Sequence, residues 1–144
     1  MTDDRDYHPR GLLRYPTYAL GKLHKGVHAE LGTELREHWV LTYLAEFTEI
    51  TQQDMADALA IDRSEVVRLI DTLEKAGLVS RTRDAQDRRK YRLALTPAGD
   101  RKRLETDVRI AAATDALLVR LTPRERTTLH ELALKALGYD ASEL

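Results

Sequence analysis

Two groups of side chains in this sequence have the types and spacing to touch a nucleic acid. The first is Arg63, Ser64, Val67 and Arg68, which follow Asp62 in DRSEVVRL, and their steps of one, three and four residues place them on one side of a helix. Arginine there bonds both acceptors of a guanine edge, serine bonds a base or a phosphate, and a valine methyl packs on thymine. The second group is Arg81, Arg83, Arg88, Arg89, Lys90 and Arg92, cations suited to phosphate oxygens and to the negative potential of a minor groove. Acids interrupt the first group. Asp62 is expected to cap the helix, and Glu65 either completes a capping box or accepts from a cytosine amine.

The charge map agrees with this reading better than the total does. The 144 residues carry a formal net charge of −1, yet residues 78–103 hold 9 Lys/Arg against 3 Asp/Glu, while every other stretch has more acid than base. A local basic feature on an acidic body is the footprint of a nucleic-acid contact. The chain has no cysteine, which removes disulfides, thiolate metal sites and thiol redox sensing together. No apolar run approaches the roughly 20 residues of a membrane span, and MTDDRDYHPR at the start lacks the apolar centre of a secretory signal, so cytoplasm is the expected location and no membrane contact is expected. Glycine-rich phosphate loops, a nucleophile elbow and framed carboxylate pairs are missing as well. Neither an enzyme nor a cofactor is expected.

The elements that must position these groups follow from periodicity. Leu20, Leu23, Val27 and Leu31 mark a first amphipathic helix over about 15–31, and Leu35, Trp39, Tyr43 and Phe47 mark a second that starts with Thr33 as N-cap and has an aromatic buried face. Residues 51–77 read as two helices joined by a tight turn. Thr51 with Asp54 starts one, with Met55, Ala56 and Leu59 inward. Val66, Leu69, Ile70 and Leu73 form the inner stripe of the other, and Gly77 ends it. The period then changes to alternation, so 78–83 and 91–95 read as strands around the basic connector DAQDRRK. Thr96-Pro97 restarts a long helix through Leu104, Val108, Ala111 and Leu118, and Thr122-Pro123 with Glu125 starts a last one carrying leucine on more than one side. The fold class expected is mainly α with a small β-hairpin wing (α+β): one domain, 1–144.

Helix, helix, basic hairpin, in that order, is the layout of a winged helix-turn-helix. Residues 51–99 resemble that of the MarR family, and HWVLTYL at 38–44 with VVRLIDTLEKAGLVSR at 66–81 is similar to its SlyA-type branch. The most specific piece is Asp87-Arg88-Arg89 followed by Leu93, Leu95-Thr96 and Gly99, similar to the wing signature D-x-R…L-x-L-T-x-x-G. The resemblance implies a homodimer joined through helices in 1–32 and 104–144, a DNA-binding lobe over 33–103, and two recognition helices on a pseudo-palindromic operator in double-stranded DNA. It also implies repression relieved by a small phenolic or anionic ligand. By the same resemblance Arg68 reads a base, Arg88 enters the minor groove, and Asp87 with Arg89 stiffens the wing.

A ligand crevice implied by the same analogy would be lined by Arg14, Tyr15, His38, Trp39 and Tyr43, cations meeting a carboxylate and rings enclosing an apolar body. The same aromatic spacing equally serves core packing. His24 and His28 are four residues apart, a spacing that can hold a metal, with no third histidine beside them in sequence to complete a site. A solvated or helix-pairing role is the simpler one, and no metal is expected. A DNA-architectural protein without effector and a metal-responsive regulator using His24 and His28 remain as alternatives.

Overall fold

Backbone groups left over at helix ends must be satisfied by something, and in this chain threonine does most of that work. The computed structural model describes residues 9–48, 50–88 and 91–144. They form α1 (Pro16–Leu31), α2 (Thr33–Glu46), α3 (Gln52–Leu59), α4 (Arg63–Lys75), β1 (Val79–Arg83), β2 (Tyr91–Leu95), α5 (Pro97–Leu117) and α6 (Pro123–Leu137), with 3-10 turns at Leu12–Arg14 and Ala141–Glu143. Thr51 and Asp54 make a reciprocal capping box at α3, as Thr122 and Glu125 do at α6. The Thr96 hydroxyl accepts from the Gly99 N–H at α5. Gly77, at φ +73°, closes α4: its N–H donates to the Glu74 carbonyl and that of Leu78 to Leu73, a Schellman end.

Two expected caps are not made. Thr33 is already helical, because Gly32 at φ +59° joins α1 to α2 in a single residue, and the cap position therefore falls on a residue with no side chain. Asp62 precedes α4 without a side-chain cap, since the Glu65 N–H is taken by the Asp62 backbone carbonyl at 2.9 Å.

One core joins α2, α3, α4 and the hairpin. Val40, Leu41, Leu44, Met55, Ala56, Ile61, Val79 and Leu93 are buried with all four inner residues of α4, Val66, Leu69, Ile70 and Leu73. Each of the larger side chains, Ala56 apart, contributes about 1.5–3 kcal/mol when taken out of water. The turn between α3 and α4 is held by Ala60 in the left-handed region and by the Ile61 N–H, which donates to the Ala56 carbonyl. A second cluster, Leu31, Leu35 and Ala113, ties α1 and α2 to α5, and Trp39 packs against both clusters.

Burial departs from the sequence stripes in two helices. In α2 the buried residues are Leu35, Val40, Leu41 and Leu44; Trp39 and Tyr43 are only partly buried and Phe47 is 48% exposed, because α2 is packed on two sides and buries residues toward both clusters rather than along one stripe. In α5 the packed face holds Gly99, Thr106 and Ala113, whereas Leu104 and Val108 (71% exposed) face outward. Close approach explains the choice of small residues. A Cβ on Gly99 would lie 2.0 Å from the Leu78 carbonyl oxygen, and one on Gly26 of α1 would lie 2.6 Å from the Leu117 side chain. None of the residues of α6 is buried. Among the described residues no helix is long and apolar enough to cross a membrane.

Candidate nucleic-acid interface

The inward stripe of α4 dictates what its other side shows. With Val66, Leu69, Ile70 and Leu73 turned into the core, Arg63, Ser64 and Arg68 are exposed and Val67 is half-buried beside them. These four expected residues therefore share the open face of the helix, with Arg63 and Ser64 in its first turn, where backbone amides favour anions. Glu65 does not make its expected capping box. Its carboxylate accepts from the guanidinium of Arg36 on α2, 29 residues away in sequence, which no local pattern announces.

The hairpin is antiparallel, pairing Val79 with Leu95, Arg81 with Leu93 and Arg83 with Tyr91 on one face. Since Val79 and Leu93 on that face are buried, Arg81 is drawn toward the body of the protein. Its Nη2 donates to Asp71 Oδ1 at 2.7 Å, its Nε lies 3.5 Å from Glu74 Oε2, and its guanidinium stands 5.5 Å from the Tyr91 ring centre. Arg81, expected to face DNA, instead bolts the first strand to the last turns of α4. A cation on the inner face of a hairpin meets the acids of the helix beneath it before it meets solvent. Asp71 and Glu74 have their explanation in the same contact.

Arg83 is exposed, its guanidinium 5.9 Å from the centre of the Tyr91 ring, and Arg88 is exposed in the connector. Arg89 and Lys90 lie outside the described residues, and the expected stiffening pair of Asp87 with Arg89 does so with them. What shapes the described part of the connector is Asp84. Its Oδ1 accepts from the Gln86 N–H at 2.8 Å and from that of Asp87 at 3.4 Å, and Oδ2 lies 3.5 Å from Arg92 Nε. The Gln86 amide above all, with the Asp87 amide and Arg92, holds the Asp84 carboxyl below the usual aspartate range against the opposing effect of desolvation. Aspartate bonding backbone two residues ahead is a recognised turn signal, so this residue was findable in the sequence.

Thr96 anchors the far end of the wing. Its N–H donates to the Leu78 carbonyl at 3.2 Å and its hydroxyl to that of Gly77 at 2.7 Å, so the end of α4, the base of the hairpin and the start of α5 form one rigid junction.

Three of the five expected ligand residues have separate partners. Arg14 and Tyr15 are exposed at the 3-10 turn before α1. His38 Nε2 lies 2.6 Å from Asp107 Oδ1 on α5, with Arg103 a further 3.7 Å from the other Asp107 oxygen. The Trp39 ring stacks on His24 with centres 5.6 Å apart, and Tyr43 lies against Phe47. A cleft of about 410 Å³ between α1 and α5 is lined by Gly26, Glu30, Arg109, Ala113 and Leu117 among others, and by none of the five. Stacking on Trp39 occupies one of the two histidines considered for metal, and among the described residues no three His, Cys, Asp or Glu side chains cluster as ligands. On α2, burial and then the neighbouring Glu34 push the Glu37 carboxyl up, opposed by Lys102.

Comparison with known proteins gives this geometry its relatives. Residues 31–90 match the sequence profile of the MarR family. The chain is 33% identical over 104 residues to a protein of Thauera aromatica assigned to transcriptional regulation of the hcr operon. That alignment covers 72% of this chain and 62% of the relative, so the chain spans about three fifths of that protein's length. Among solved structures, BpsR of Bordetella bronchiseptica, described with regulation of its DNA binding by 6-hydroxynicotinic acid, superposes with a TM-score of 0.67 at 26% identity, covering 83% of this chain and 96% of that one. CouR of Rhodococcus jostii RHA1, described bound to p-coumaroyl-CoA, gives 0.60 at 27% identity over 83% of this chain and 87% of its own.

Proposed function

We propose, from the premise that this chain belongs to the MarR family, that it is a sequence-specific regulator of transcription acting as a homodimer on double-stranded DNA. The observation carrying the reading is the single rigid unit made by α4 and the hairpin. Arg63, Ser64, Val67 and Arg68 line the outer face of α4, and the strand bearing Arg83 is fastened to that same helix through Arg81, Asp71 and Glu74. A helix of this kind reads base edges in the major groove, while the wing cations Arg83 and Arg88, with Arg89 and Lys90 next in sequence, supply phosphate and minor-groove contacts.

Dimerisation is supported by the apolar surface that one copy leaves uncovered. Leu104, Val108, Leu132 and Leu137 are exposed on α5 and α6, an arrangement that calls for a partner surface. Two copies related by a two-fold axis present two recognition helices, so the operator is a pseudo-palindrome with half-sites about one helical turn apart.

The finer reading is a repressor released by a small phenolic or carboxylate ligand. Two structurally similar proteins are described with such ligands, and the helices joining the lobe to the terminal region carry polar groups, such as His38, among aromatic rings. The test is selection of bound duplexes from a random pool, repeated with a panel of phenolic carboxylates. A two-fold symmetric consensus whose recovery falls with one panel member is expected; uniform recovery of all sequences would instead mark an architectural DNA binder.

A further inference from the structure

Glu65 is an acid on the DNA-facing helix, one turn before the arginine expected to read a base. Residues three apart on a helix are neighbours, so Glu65 and Arg68 are placed to pair with each other; they line the same open cleft between α2 and α4, with Thr33, Glu37, Leu69 and Thr72, and of its two acids Glu65 is the one on Arg68's own helix. Such a pair would hold the Arg68 guanidinium on its own helix and cancel its charge. It is not made. Glu65 is engaged by Arg36 from α2, and Arg68 has no ion-pair partner among the described residues.

We propose that Arg36 is a specificity-determining positioning residue, which sequesters the Glu65 carboxylate and thereby leaves Arg68 available to DNA. The inference rests on the regulator reading above and adds to it a residue outside the helix-turn-helix and the wing. Arg36 acts through Glu65: without it, the carboxylate has the neighbouring guanidinium as its nearest alternative cation on α4, and the recognition surface turns its reader inward. Both members of the pair are partly exposed, so removing one does not leave a charge stranded in a dry core.

The experiment compares wild type, R36A and the double variant R36A/E65Q on the duplex selected by wild type and on point variants of it. R36A is expected to lose about ten-fold or more of the preference at one base pair in each half-site, the scale of one bidentate contact. The double variant is expected to regain that preference, because a neutral glutamine no longer competes for Arg68. For a plain phosphate-binding or fold-supporting arginine, deleting the acid would raise affinity or stability alike for every duplex, so recovery of preference at that one base pair is the readout that separates the roles. An R36A protein with unchanged preference overturns the proposal. So does a double variant as indiscriminate as R36A, or two variants that both fail to fold. If wild type itself selects no sequence, the regulator reading falls first, an outcome distinct from failure of the pair.

Discussion

Helices α4 and α6 are of similar length and both carry apolar residues at helical spacing, yet the first buries four of them and the second buries none. The difference lies in what each has to pack against. Helix α4 meets α2, α3 and both strands within its own chain, and its stripe is matched one-sidedly to that cavity. Leu132 and Leu137 of α6 stay 58% and 72% exposed, and α5 behaves likewise on its outer side with Leu104 and Val108. An apolar stripe therefore states that a face needs cover, not where the cover comes from. In the lobe the chain provides it; in the terminal helices we assign it to a second copy.

The strongest way to break this contrast is to truncate one residue from each region. Ile70→Ala in α4, a position without solvent exposure, is expected to cost about 2–5 kcal/mol in chemical denaturation, through lost burial and the cavity left behind. Val108→Ala on the outer side of α5 is expected to change the intrinsic stability of one copy by no more than about 0.5 kcal/mol. Comparable losses in a monomeric background would erase the distinction drawn between the two regions.

A charge placed on the uncovered face sharpens it further. Leu132→Asp is expected to shift sedimentation from dimer to monomer while the far-ultraviolet circular dichroism of the lobe persists, since burying an unpaired carboxylate in an interface is disfavoured by several kcal/mol. A dimer of unchanged affinity would place the interface elsewhere.

Smaller effects are expected within the lobe. Arg88→Ala should weaken binding to operator and to random duplex alike and reduce the slope of log K against log salt by about one; a loss confined to the operator would make Arg88 a base reader instead. The smallest concerns acid. Asp84 has its carboxyl lowered in the folded wing, so its contribution is fully present above the ordinary aspartate value and is lost as pH falls below about 4, through the folded value. The Gln86 amide resonance should move over that window in wild type and stay put in Asp84→Asn, which keeps an acceptor without the titration.

Legibility followed the range of each interaction for the most part, the local exceptions being Thr33 and Asp62, whose expected caps are not made. Capping boxes at Thr51 and Thr122, the inner stripe of α4, the glycine end at Gly77 and the alternation of the strands all rest on residues within a turn of one another, and each stands where the sequence placed it. The site was half visible by the same logic. Exposure of Arg63, Ser64 and Arg68 follows from which residues point inward, but the fate of Arg81 depended on acids of α4 brought beneath the hairpin, and that of Glu65 on an arginine of another helix. The aromatic stripe of α2 misled because period alone does not say how many neighbours a helix has.

Composition and spacing by themselves determined that a helix-turn-helix is followed by a basic hairpin, since periods of two and near four, caps and local charge are properties of neighbouring residues. Tertiary structure alone decided which cations remain available and which acids are neutralised, for Arg36 with Glu65 and Arg81 with Asp71 are chosen by packing. A charge finds its partner through space, and only folding brings those residues within a few ångströms of each other.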